Sequence, residues 1–80
     1  MSHEPEDTPP ESPAGHHISI GLAAGEIWEY LKEHGPATQT RLTRELNLPR
    51  DLILQGIGWL AREEKLVFRE VRRSRLIELA

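Results

Sequence analysis

The stretch from Pro49 to Leu66, PRDLILQGIGWLAREEKL, decides the fold. It opens on a proline, which suits the first position of a helix because the missing N–H would have no partner there. Asp51 follows in the first turn, where a negative charge meets the positive end of the helix dipole. Ile53, Ile57, Leu60 and Ala61 recur at three- and four-residue steps and predict a buried stripe. Arg50, Asp51, Gln55, Arg62 and Glu63 are left facing out. The spacing predicts one helix of about four turns that delivers the chain straight into a β-strand. Glu64-Lys65 stands where a helix-ending glycine would be expected, so the exit reads as less sharp than glycine would make it.

The flanking segments complete a pattern. Thr38 is a good N-cap, its hydroxyl able to accept a bond from an orphan backbone N–H. Leu42 and Leu46 then give a short helix a thin apolar stripe, stable only when packed. Asn47, which tolerates positive φ, opens a turn of three or four residues, the length that joins the two helices of a helix-turn-helix. Downstream, Leu66 to Val71 and Arg75 to Leu79 are rich in branched residues and predict a hairpin. Its turn, Arg72-Arg73-Ser74, lacks the glycine or asparagine of tight hairpins, so a short wing with a mobile tip is expected. Upstream, Ala24, Ile27, Trp28 and Leu31 predict a helix from Leu22 that Gly35-Pro36 ends. His16 to Gly21 alternates apolar and polar, which suits a short strand or an extended lead-in with Ile18 and Ile20 packed down. The whole reads as mainly α with a small β-hairpin: a winged helix-turn-helix of three helices plus two or three short antiparallel strands, over residues 16 to 80.

Residues 1 to 15 do not join it. They hold four of the six prolines and four of the thirteen acids, with no large apolar residue after Met1, so an acidic disordered tail is expected. The formal charge of −3 is set by that tail, because the remaining nine acids face ten lysines and arginines. A near-neutral domain with a local arginine cluster fits a modest nucleic-acid binder and a protein-binding module equally. No cysteine is present, which excludes a disulfide framework and a thiolate zinc site. The acidic N-terminus does not resemble a signal peptide and no apolar run approaches a membrane span, so a cytoplasmic protein without membrane association is expected.

Gly56 and Gly58 are the odd feature of the long helix, since each costs about 0.8–1 kcal/mol relative to alanine. One reading is close packing of another backbone or of Trp28; the other is close approach of DNA or of a partner chain. Trp59 cannot share a direction with Leu60, and reads as covering the edge of the core against the wing.

No serine, histidine or carboxylate falls into a recognisable catalytic spacing, so an enzyme is not expected, nor a small-molecule substrate. His16-His17 lacks further ligands at fixed geometry, so neither a metal nor a cofactor is expected. Nucleic-acid binding has the better case. The second helix of a helix-turn-helix lies in the major groove and its N-terminal residues reach base edges. Here those residues are Arg50, Asp51, Leu54 and Gln55. Arginine pairs with guanine, glutamine with adenine, and leucine meets a thymine methyl. Arg41 and Arg44, with Arg69, Arg72, Arg73 and Arg75 on the wing, are the candidates for phosphate. The competing class is a protein-interaction module, with a homodimer or another protein docking on Leu54, Gly58 and Trp59.

With Ile20-Gly21, Ala24-Gly25, Ile27-Trp28 and the run Gly58-Trp59-Leu60-Ala61-Arg62-Glu63 in view, the chain resembles a family of small stand-alone prokaryotic winged helix-turn-helix proteins of unknown function. The resemblance covers nearly everything from Ile18 onward. It implies the fold and, by analogy, binding of double-stranded DNA or regulation of transcription. It brings no catalytic residue, no cofactor and no partner.

Overall fold

The computed structural model describes residues 13–80; the expected tail lies outside them except for Pro13 to Gly15, which open a helix instead of joining the tail. Three helices, α1 (Pro13–His34), α2 (Gln39–Leu46) and α3 (Arg50–Arg62), precede strands β1 (Leu66–Val71) and β2 (Ser74–Leu79). The strands pair antiparallel from Leu66 opposite Leu79 to Val71 opposite Ser74. A third strand is reduced to one bridge: Ala37 and Ile77 exchange backbone hydrogen bonds of 3.0 and 2.8 Å on the outer edge of β2. This is the winged helix-turn-helix that the sequence predicts.

Local signals fix most boundaries. The Thr38 hydroxyl accepts from the Arg41 N–H at 3.1 Å and caps α2. Asn47 ends that helix in the left-handed region at φ 54°, and Gly35 does the same for α1 at φ 84°. Pro49 sits one position earlier than expected, as the N-cap of α3, where its carbonyl takes the first helical bond from Ile53.

Two expectations are corrected. His16 to Gly21 is neither strand nor extended lead-in: it belongs to α1, which begins at Pro13. Ile20 joins Ala23, Ala24, Ile27 and Leu31 on one helical stripe, whereas Ile18 faces water at 62% exposure and is not packed down. The long helix also stops at Arg62 rather than running into the strand. Its exit is sharp: Glu64 N–H donates to Ala61 C=O and Lys65 N–H to Leu60 C=O, both at 2.9 Å. That is the bond pair of a Schellman cap, with Glu64 at φ 60° in the position that glycine usually fills. A side chain there costs roughly 1–2 kcal/mol of strain, partly offset because glycine also frees the unfolded chain. Glu64→Gly should therefore raise stability by about 0.5–1 kcal/mol, read as a higher urea midpoint at unchanged slope.

The core is one layer of α1 packed on α3, closed by Leu42 of α2 and by Leu66 and Ile77 of the wing. Ile27, Leu42 and Ile53 are fully enclosed. Gly56 explains how close the helices come. A Cβ placed on it would stand 2.9 Å from Ile27 Cδ1 and 3.1 Å from the backbone nitrogen of Ala24. The close-packing reading holds for this glycine, though its neighbours are Ile27 and the Ala23-Ala24 backbone rather than Trp28. Gly58 has nothing within 4 Å and is not a packing glycine.

Candidate nucleic-acid interface

Burial of Ile53, Gly56, Ile57 and Leu60 fixes the rotation of α3. Asp51, Gln55, Gly58 and Arg62, at steps of four, three and four, then form one outward stripe, and all four are exposed. Arg50 and Leu54 lie beside the stripe, on the side that approaches the wing, and both are also exposed. All four candidate base-reading residues, Arg50, Asp51, Leu54 and Gln55, thus reach solvent from the first half of α3. Arg62 and Gly58 extend the same face. Arg62 is not among the residues that the sequence assigns to the site, although its spacing from Asp51 and Gln55 places it on the same face.

Between α3 and the wing runs an open groove of about 490 Å³, lined by Gln39, Leu54, Ile57, Phe68, Glu70, Arg73, Arg75 and Ile77. Its shape follows from strand alternation, which turns Leu66, Phe68 and Glu70 of β1 to one side with Arg75, Ile77 and Leu79 of β2. Arg72 takes φ 58° in the two-residue turn at the tip.

The six candidate phosphate contacts are not equivalent. Arg73 and Arg75 border the groove, but the Arg75 guanidinium donates to Glu70 at 3.1 Å. Arg69 is on the opposite face of the hairpin, held by Glu78 at 3.2 Å, so the structure does not bring it to the others. Arg44 lies 3.7 Å from Glu45. Arg41, Arg72 and Arg73 make no ion pair among the described residues. Such exposed pairs are worth little energetically, about 0–1 kcal/mol. What they change is local charge: Glu70 sets a carboxylate inside the groove.

Trp59 does not cover the core against the wing. It lies on the opposite flank of α3, 38% exposed, with its ring centroid 6.5 Å from that of His17 on α1. Leu54, 40% exposed, faces the wing groove, so Leu54 and Trp59 do not form one apolar surface. Among the described residues no cluster of His, Asp and Glu could hold a metal ion, and no helix is long and apolar enough to cross a membrane.

Three helices, the third with an exposed polar stripe, followed by an arginine-bearing hairpin define a winged helix-turn-helix domain. Residues 15–79 match the model of the winged helix-turn-helix domain family DUF2582, and the chain belongs to that family. It is similar to the protein BT2368 from Bacteroides thetaiotaomicron, whose solution NMR structure superposes with a TM-score of 0.72 at 30% identity, covering 80% of this chain and 78% of that one. No curated protein sequence matches this chain.

Proposed function

We propose that this domain binds double-stranded DNA as a transcription regulator, with α3 in the major groove and the wing and α2 on phosphates. One observation carries the reading: the polar stripe of α3 stands beside the wing groove and a hairpin tip on which Arg72 and Arg73 make no ion pair among the described residues. Arg50, Asp51, Gln55 and Arg62 supply donors and acceptors for base edges, and Leu54 an apolar contact for a thymine methyl. Gly58 lets the duplex approach the helix closely, a role consistent with the open space beside it. Arg41, Arg72 and Arg73, which make no ion pair among the described residues, are the cations for the backbone, while Glu70 holds Arg75. No group in this reading does covalent chemistry, so we infer a binding protein rather than an enzyme. Fluorescence anisotropy with a labelled random-sequence duplex at low salt tests it. Saturable binding is expected; a flat titration would remove nucleic acid as the ligand.

A further inference from the structure

α1 presents large apolar side chains to water as well as to the core between Ile18 and Gly25, where Ser19 is the one polar side chain. From Ile18 to Gly25, ISIGLAAG, it carries no charge. Ala23 and Ala24 turn into the core, while Ile18 and Leu22 are 62% and 66% exposed, the two most exposed large apolar side chains among the described residues. A helix side that faces water is ordinarily polar. Gly21 and Gly25 lie along the same outward stripe, and nothing stands within 4 Å of where a Cβ on either would be. Packing within the chain therefore does not account for the roughly 0.8–1 kcal/mol that each glycine costs in a helix.

We propose that this stripe is the interface of a homodimer in which α1 packs antiparallel on α1 of a second copy, about a two-fold axis between Gly21 and Leu22. The spacing is self-complementary in that register. Ile18 falls opposite Gly25 of the second copy, Leu22 falls opposite its Gly21, and the axis repeats both contacts. A two-fold interface demands this kind of surface, one that is its own complement. The glycines let the helices approach, and the depression that they share with Trp28 and Trp59 gives the incoming side chains a wall. Charge sets the direction. The C-terminal half of α1 bears Glu26, Glu29, Lys32 and Glu33, so a parallel pair would lay Glu29 and Glu33 against their own copies, whereas an antiparallel pair holds them at opposite ends. Residues 1–12 offer no large apolar side chain beyond Met1 to fill these seats. The stripe borders the Trp59 flank of α3, away from the wing, so pairing leaves the wing groove open and does not depend on DNA binding.

Sedimentation equilibrium of the full chain across low to high micromolar concentration should show a mass rising toward twice 9.1 kDa. Leu22→Glu should weaken association at least tenfold while leaving the helical circular dichroism unchanged, because Leu22 touches solvent and not the core. Register is read by cross-linking, since the chain has no cysteine of its own. A mixture of the single variants Ile18→Cys and Gly25→Cys should join to each other through a short bismaleimide more than either joins to itself. A single-chain mass at every concentration, a Leu22→Glu variant that still dimerises, or preferential self-linking of Ile18→Cys would each overturn the proposal; the last would indicate a parallel pair.

Discussion

A tenfold rise in salt is expected to weaken duplex binding by roughly 500-fold, a log–log slope of about −2.7. The figure follows from the ion pairs on the wing and on α2. Each phosphate neutralised contributes about −0.9 to the slope, so six contacting arginines would give about −5.4. Three of the six are engaged elsewhere: Arg69 by Glu78 on the far face of the hairpin, Arg75 by Glu70, and Arg44 by Glu45. Arg41, Arg72 and Arg73 remain. Glu70→Gln should then steepen the slope by about 0.9 as Arg75 becomes available, and should tighten binding at low salt roughly two- to fivefold, since a carboxylate leaves the groove. Arg69→Ala should change neither quantity. Anisotropy titrations at several salt concentrations read all three. A slope near zero would count against the nucleic-acid reading, and one near −5 would mean that the ion-paired arginines Arg44, Arg69 and Arg75 also reach phosphates.

Replacing Gly56 by valine should destabilise the domain by about 2–3 kcal/mol, while Gly58→Ala should stabilise it by about 0.5–1 kcal/mol. The two glycines are two residues apart and cost the helix alike, so intrinsic propensity predicts a gain from either substitution. Packing separates them. At Gly56 the added atoms meet the Ile27 methyl at 2.9 Å and the α1 backbone at 3.1 and 3.4 Å, and backbone cannot move aside without parting α1 from α3. At Gly58 they meet open space. For a domain of this size the melting temperature should fall roughly 10–20 °C in the first case and rise roughly 3–6 °C in the second. If Gly58→Ala also lowers DNA affinity while raising stability, the duplex comes closest to the helix at that point. Equal effects of the two substitutions on stability would contradict the helix packing described here.

What was legible in the sequence was whatever a residue announces by its own chemistry. Thr38 as a cap, Asn47 and Gly35 as left-handed positions and Gly35-Pro36 as a stop are local, and each stands where it was expected. The isoleucine stripe of α3 was equally plain, and with it the outward direction of Arg50, Asp51 and Gln55. His16 to Gly21 was misread because alternation over so few residues satisfies a period of two and, once Ala23 and Ala24 are added, a period of 3.6 as well. Glu64 gave no sign of a left-handed conformation, since glutamate is not selected for it; the Schellman bonds and the start of β1 impose it. The arginines show the same limit in the site. Their number was visible, but which of them meet a carboxylate depends on strand register, which pairs Glu70 with Arg75 and turns Arg69 away. Gly56 was understood in kind and not in partner, because the contact joins two helices far apart in the chain.

The most direct measurement is a ¹H–¹⁵N NMR titration of the domain with a short duplex at low salt. The amides of Arg50 to Gln55, Gly58 and Arg62 on α3, with Arg72 to Arg75 on the wing, should shift in proportion to bound DNA while those of Ile18 to Gly25 stay in place. Shifts confined to α1, or an α3 that does not respond as the duplex binds, would contradict DNA binding through α3.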